Sequence, residues 1–314
     1  MRRVTILDDY QSIALASADW SAVAERFEVD VVAEHLEGEE LLARLERSDV
    51  VVAMRERTAF DADLLARLPA LRLLVTTGMK NASIDLEAAA ARGVVVAGTG
   101  GAGNAVPELT IGMMIALTRR FAEEDAAVRS GGWQHTIGPG LAGRTLGVLG
   151  LGRLGGPVAD LARAFGMQVI AWDRSITPER AERHGARIVE RDALFGESDI
   201  LTIHLPLTAS SRGLVGSREL GLMRPSSYLV NTSRGPIVDE AALLAALDGG
   251  GIAGAALDVY DVEPLPVDHP LRRAPNTLLL PHIGYVTTEQ YARFYGDAVE
   301  DILAWADGAP IRLL

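Results

Sequence analysis

The 314-residue chain is long enough for two domains of ordinary size and too long for one small binding module. It is 48% hydrophobic and 23% charged, which excludes extended disorder, and its 30 basic against 42 acidic residues, a net charge of -12 without any Lys/Arg stripe, exclude the footprint of a nucleic-acid binder. Cysteine is absent, so disulfides, zinc-thiolate sites, iron-sulfur clusters and thiol nucleophiles are all removed, and no metal site is expected. No apolar run nears the roughly 18 residues that span a bilayer. The apolar stretch at residues 4–7 ends at Asp8-Asp9, too short for a secretory signal. A cytoplasmic protein with neither membrane nor nucleic acid as a partner is expected. Among the basic residues only Lys80 is a lysine, which a preference for arginine codons explains unless that position is chemically selected.

In chain order, short β-branched runs at 4–7, 29–32, 50–53, 73–76 and 94–97 alternate with helical spacing of leucine and alanine at 39–47, 61–67 and 86–92. This is the pattern of a parallel sheet with crossover helices, and about five such units fill one domain. Residues 106–120 read as a long helix with Pro107 and Glu108 in its first turn, where a missing N–H is tolerated and a negative charge is favoured. Ser130-Gly131-Gly132 and Gly138-Pro139-Gly140 then break the pattern. A second series begins at Thr145, with strands expected at 146–149, 168–172, 200–204, 228–231, 253–259 and 277–280. An amphipathic helix over 288–305 closes it.

Gly150-Leu151-Gly152-Arg153-Leu154-Gly155 fits G-x-G-x-x-G, a pattern that is weak alone and acquires weight from its surroundings. The strand at 146–149 leads straight in, and Val158, Leu161, Ala162 and Phe165 follow at helical spacing. Gly166 ends that helix, and the strand at 168–172 runs into Asp173, 21 residues after Gly152. In such a unit Gly150 makes the tight turn, Gly152 lets backbone N–H groups approach a pyrophosphate, and Gly155 lets helix and strand pack closely. Asp173 stands where a carboxylate accepts from the adenosine ribose hydroxyls. Gly150, Gly152, Arg153, Leu154, Gly155 and Asp173 are therefore the candidate cofactor contacts. Asp173 would repel a 2′-phosphate and so favours NAD over NADP, whereas Arg174 beside it is able to pair with that phosphate.

The fingerprint lies near mid-chain, so an entire domain precedes it. If the last helix packs back on that domain, residues 1–100 and 286–314 form a discontinuous substrate domain, and residues 101–285 an inserted nucleotide-binding domain. The expected class is α/β, with two Rossmann-like or flavodoxin-like doubly wound domains.

Three further segments each follow an expected strand: Asn231-Thr232-Ser233-Arg234-Gly235, Asp258-Val259-Tyr260-Asp261-Val262-Glu263-Pro264 and Pro281-His282-Ile283-Gly284. Ligands of open α/β sheets bind at the carboxyl ends of strands, which makes Arg234, Glu263 and His282 candidates to converge with the fingerprint. Singly, each reads equally well as a surface charge, a turn residue and a satisfied core histidine.

Together with Gly143-Arg144-Thr145-Leu146-Gly147, His204-Leu205-Pro206-Leu207-Thr208 and Asp239-Glu240-Ala241-Ala242-Leu243, these segments resemble the D-isomer-specific 2-hydroxyacid dehydrogenases in their phosphoglycerate dehydrogenase-like form, over most of the chain. The resemblance implies an oxidoreductase that moves hydride between NAD(H) and a small 2-keto or D-2-hydroxy acid. It implies His282 as general acid-base, Glu263 pairing with the imidazole, and Arg234 holding the substrate carboxylate and carbonyl. Asp258 would contact the nicotinamide carboxamide, Pro206 and Thr232 would line the cofactor cleft, and a homodimer would form chiefly through the nucleotide domain. A formate-oxidising branch resembles Gln-His at the histidine, and Pro281-His282 argues against formate. A different class remains as the alternative: a corepressor-like protein of the same fold that senses the nucleotide without significant turnover. NADH oxidation by a panel of 2-keto acids separates the two.

The first domain departs more from the pattern. Thr77-Gly78-Met79-Lys80-Asn81 follows the strand at 73–76, where the resemblance implies backbone N–H groups meeting the substrate carboxylate, and Arg55 follows another strand. Arg55, Gly78 and Lys80 therefore join Arg234 as candidate substrate contacts, the two cations favouring a second anionic group on the substrate, with solvated surface charges as the equal alternative. Pro107 before Glu108 and Tyr285 after His-Ile-Gly stand where small residues are usual.

Overall fold

The computed structural model describes residues 1–101 and 103–314. It divides into two units, Met1–Gly103 with Val286–Leu314, and Asn104–Tyr285. The first unit opens with β1 (Arg2–Ile6), α1 (Ser21–Ala24), β2 (Phe27–Val31), α2 (Gly38–Leu45), β3 (Val50–Ala53), α3 (Ala62–Ala66), β4 (Leu73–Thr76), α4 (Leu86–Ala91) and β5 (Val95–Gly98). Its five parallel strands run in the order β2-β1-β3-β4-β5, the flavodoxin-like arrangement. Every residue of β3 and β4 is buried, and a strand covered on both faces reads as a continuous apolar run, as 50–53 and 73–76 do. Asp61 and Asp85 start α3 and α4 by accepting the N–H groups of Leu64 and Ala88, which satisfies donors that a first helical turn leaves over.

The second unit comprises α5 (Ala105–Thr118), α6 (Phe121–Arg129), β6 (Thr145–Leu149), α7 (Gly155–Ala164), β7 (Gln168–Trp172), α8 (Pro178–Arg183), β8 (Arg187–Ile188), α9 (Arg191–Glu197), β9 (Ile200–Ile203), α10 (Ser217–Leu222), β10 (Tyr228–Asn231), α11 (Glu240–Asp248), β11 (Gly254–Leu257) and β12 (Thr277–Leu279). Its seven parallel strands run β12-β11-β10-β9-β6-β7-β8, the doubly wound Rossmann order with one strand added. The topology reverses between β6 and β9, so ligand groups are expected beyond the carboxyl ends of these two strands. Apolar side chains fill both faces of the sheet, Phe195, Leu229 and Leu257 on one and Met114, Val148 and Val230 on the other.

The chain then returns to the first unit as α12 (Thr288–Ala306), which packs on β4 and α1 and buries Tyr291, Phe294, Tyr295, Ala298 and Ile302 along one stripe. Beyond it, Gly98 N–H donates to the Arg312 carbonyl and Leu314 N–H to that of Val96, so residues 312–314 line the edge of β5. Of the elements that the spacing does not predict, two have a plain physical reason. β8 has only two residues, both exposed, and leaves no apolar run to find. α6 buries no residue at all, so it has no apolar stripe to signal a helix. No helix among the described residues is long and apolar enough to cross a membrane.

One buried acid in α12 sets a pH dependence. Asp301 Oδ1 accepts Arg312 Nε at 2.9 Å, while burial, only partly offset by Arg312 and reinforced by Asp297 and Glu300, pushes its carboxyl up to about 7 from 3.8. The folded protein thus holds a proton that the unfolded chain releases. This contribution to stability is present in full below about pH 4 and is lost as pH rises through about 7. Asp301→Asn removes the titration, so its Tm relative to the wild type should shift in the variant's favour between about pH 5 and about pH 8. A difference independent of pH in thermal melts would contradict this.

Candidate active site

The fingerprint takes the strand-turn-helix form. β6 ends at Leu149, Gly150 turns at φ 101°, and α7 starts at Gly155. A methyl group on Gly155 would sit 2.1 Å from the Gly150 carbonyl oxygen, so no side chain fits between turn and helix. On Gly152 it would meet no protein atom within 4 Å. The backbone at Gly152 therefore faces open space at the amino end of a ten-residue helix, the arrangement a pyrophosphate requires. Asp173, at the end of β7, accepts Leu151 N–H at 3.2 Å and so ties the acid to the turn. The residues fit a dinucleotide: Gly150 to Gly155 for the pyrophosphate, with Asp173 at the ribose position, where Arg180 now pairs with it. Arg153 and Leu154 lie in the same turn, while Pro206 is exposed in the loop after β9.

Asp258, Glu263 and His282 come together at the carboxyl ends of β11 and β12. His282 holds a left-handed φ of 55°, and its Nδ1 lies 2.5 Å from Glu263 Oε2. The other Glu263 oxygen accepts Tyr260 N–H at 2.8 Å. Burial opposes ionisation of Glu263, but the hydrogen bond and charge of His282, the Tyr260 amide and the nearby Arg234 outweigh it and hold the carboxyl below the usual glutamate range. The ring therefore faces an anion through Nδ1, which leaves Nε2 as its outward proton-carrying atom. Arg234 follows β10 and is half-buried. Its backbone carbonyl accepts Asn231 Nδ2 at 3.0 Å, and its Nη1 donates to the Ser233 carbonyl at 2.7 Å. Thr232 Oγ1 is 2.9 Å from Thr110 Oγ1 of α5.

Two contributors were not legible in the sequence. Tyr260 is one: besides its N–H on Glu263, its hydroxyl donates to the Leu280 carbonyl at 2.9 Å, two residues before His282. The run Asp258-Val259-Tyr260 was its only signal. The second is the clamp made by Asp258, whose two oxygens accept Ile283 and Gly284 N–H groups at 2.8 Å each. Burial pushes the Asp258 carboxyl up to about 6, those two amides and His282 pulling the other way and Glu263 adding to the rise. Asp258→Asn would turn an NH2 toward one of the two amides. With about 1–3 kcal/mol for a buried donor left unmet, the turn carrying His282 should loosen and kcat fall about tenfold or more. Steady-state rates on a variant with a native circular dichroism spectrum check this, and an unchanged kcat would contradict it.

In the first unit, Arg55 has a left-handed φ of 53°, and its Nη1 donates to the Thr77 carbonyl at 3.1 Å. A methyl group on Gly78 would lie 1.9 Å from that Nη1, so the structure brings Arg55 and Gly78 together, and it is the φ of 95° at Gly78 that favours glycine there. Gly78 N–H is itself taken by Thr99 Oγ1 at 2.8 Å, which leaves the amides of Met79 and Lys80 as the loop's candidate donors. Lys80 is exposed and is not drawn to Arg55.

Comparison with known proteins agrees with this geometry. The family model described as D-isomer specific 2-hydroxyacid dehydrogenase, NAD binding domain, matches residues 111–284, more than half of the chain. The chain belongs to the D-isomer-specific 2-hydroxyacid dehydrogenases. This dehydrogenase is 40% identical over 280 residues to a glyoxylate reductase of Aeropyrum pernix, covering 86% of this chain and 83% of that one. It is 37% identical to a D-3-phosphoglycerate dehydrogenase of Archaeoglobus fulgidus over 87% of this chain, but spans only 52% of that longer protein. The crystal structure of a phosphoglycerate oxidoreductase from Vibrio cholerae superposes with a TM-score of 0.93 at 33% identity, over 98% of this chain and 100% of that one. Its cofactor is NAD(H), as the matched domain indicates. The named relatives are dehydrogenases and reductases, and nothing favours the corepressor-like alternative.

Proposed function

We propose that this dehydrogenase reduces a small 2-keto acid to the D-2-hydroxy acid, with Arg234, Glu263 and His282 as its catalytic residues. The observation that carries the proposal is the 2.5 Å pair between His282 Nδ1 and Glu263 Oε2, which faces the ring's other nitrogen outward. The bound cofactor supplies the hydride that adds to the carbonyl carbon. His282 donates the balancing proton from Nε2 to the carbonyl oxygen, and Glu263, held ionised, orients the ring through Nδ1. Arg234 holds the substrate carboxylate with a planar set of donors and stabilises charge growing on the carbonyl oxygen. Asp258 keeps the His282 turn in place. A carboxylate oxygen has two lone pairs, so Asp258 can also receive the nicotinamide carboxamide.

Glyoxylate and the keto acid of 3-phosphoglycerate are the substrates that the relatives' names suggest. We propose Arg55, Lys80 and the loop that turns at Gly78 as further substrate contacts, the two cations favouring a second anionic group. Tyr285, whose ring meets that of His282 edge-on with centroids 5.8 Å apart, shapes the acyl side. A homodimer through the second unit is supported by Phe121, Val128, Trp133 (75% exposed) and Ile137 (100% exposed), large apolar side chains gathered on α6 and the segment after it. The cytoplasm is the proposed location, where a cysteine-free chain forgoes nothing. The test is NADH consumption with glyoxylate, hydroxypyruvate, phosphohydroxypyruvate, phenylpyruvate and branched 2-keto acids. Turnover concentrated on one of them supports the reading, and binding of NADH without turnover on any supports a sensor instead.

A further inference from the structure

The acid at the end of β7 is already saturated. Asp173 Oδ1 accepts Ser175 N–H at 2.6 Å, Ser175 Oγ at 3.0 Å and Arg180 Nη2 at 3.1 Å, while Oδ2 accepts Leu151 N–H at 3.2 Å and the same Arg180 nitrogen at 2.9 Å. A carboxylate offers about four lone-pair sites, so these five contacts leave none for a ribose. Asp173 is 8% exposed, so water does not make up the difference. A ribose hydroxyl can bond to Asp173 only by displacing one of these partners. The Leu151 and Ser175 amides are fixed in the backbone, which leaves the Ser175 hydroxyl, free to rotate, and Arg180 as the partners able to yield. Arg180 Nε is buried without a hydrogen-bond partner, so its present seat leaves the guanidinium incompletely satisfied. On the other side Arg174 is exposed and reaches the Ser210 carbonyl with a single bond of 3.1 Å. Among the described residues no acid lies within ion-pair distance of it.

Arg180 and the Ser175 hydroxyl contact the carboxylate and Arg174 follows it in sequence, so residues 173–180, with Glu179 counted, carry no net charge where a lone Asp would give -1. The repulsion expected from Asp173 alone is thereby offset. A 2′-phosphate carries close to two negative charges and several acceptor oxygens, and arginine forks match it well.

We propose that the ribose site at the end of β7 reads both dinucleotides: Arg180 cancels the repulsion of Asp173, and Arg174, Arg180 and Ser175 together take the 2′-phosphate of NADPH. With NADH bound, Arg180 moves off Asp173 and the ribose hydroxyls replace it. With NADPH bound, Arg180 stays between carboxylate and phosphate. The proposal rests on the reading that the second unit binds NAD(H), and binding measured without substrate tests it apart from catalysis.

Isothermal titration of the full-length protein with NADH, NADPH, ADP and 2′,5′-ADP gives the affinities directly. The NADPH to NADH Kd ratio should be below about 30, and in Arg174→Ala and Arg180→Ala it should rise at least about fivefold. Arg180→Lys keeps the charge and should restore at least half of that rise on a logarithmic scale, which a merely structural role for Arg180 would not produce. The two adenosine diphosphates should follow the same order. A wild-type ratio above about 30, or alanine variants that leave the ratio within fivefold, overturns the proposal while NADH binding stands. Failure of NADH itself to bind overturns the underlying reading as well.

Discussion

His282→Asn loses about two to four orders of magnitude in kcat for 2-keto-acid reduction while NADH still binds. Asparagine is the informative replacement because His282 sits at φ 55°, a left-handed conformation that Asn tolerates and that β-branched residues do not. The backbone turn, held by Asp258 through the Ile283 and Gly284 amides, therefore survives the change, and only the proton donor is lost. Glu263 is left without its imidazole partner and faces an amide. Single-turnover mixing of enzyme, NADH and keto acid should show the loss in the chemical step, and titration of NADH alone should show little change in Kd. A His282→Asn enzyme within about tenfold of wild type would mean that the proton comes from elsewhere.

Arg234→Ala carries the second large effect. Removing one member of a desolvated charge pair costs about 2–5 kcal/mol, which corresponds to a fall in kcat/KM of roughly 30-fold to 5,000-fold. Most of that should appear in KM, because the carboxylate is held in the ground state and transition state alike, with a smaller share in kcat from lost stabilisation of the developing oxyanion. Arg234→Lys keeps the charge without the planar fork and should recover only part of the loss. Glu263 adds a signature of its own. Arg234 is one of the groups that hold its carboxyl down, so Arg234→Ala should move any acid-side loss of activity that depends on Glu263 toward higher pH. An unchanged KM across keto acids would contradict the assignment of Arg234 as the carboxylate's partner.

What the sequence discloses depends on how local the cause is. The fingerprint was legible because its requirements are local: a tight turn at Gly150, an open backbone at Gly152 and a close approach at Gly155 fall within six residues, and β7 delivers Asp173 by simple strand geometry. The buried strands were legible for the same reason, since burial on both faces writes an unbroken apolar run. The Glu263–His282 pair spans 19 residues and three loops, and only the likeness to a family joined them before the structure did. The Asp258 clamp was hidden because its partners are backbone amides, which every residue carries alike. Arg180 was hidden because it reaches Asp173 only after α8 turns it back, seven residues on in sequence. Residues Arg55 and Gly78 were each flagged, but their mutual contact depends on a left-handed backbone at Arg55 that arginine rarely adopts and that no local pattern announces.

Hydride transfer to a 2-keto acid with the D configuration as product is tested most directly by the stereochemistry of that product. Hydroxypyruvate or phenylpyruvate is reduced with NADH, and the hydroxy acid is resolved on a chiral column against both enantiomers. One D-2-hydroxy acid should form per NADH consumed. An L or racemic product, or NADH bound without turnover on any of the 2-keto acids, would contradict it.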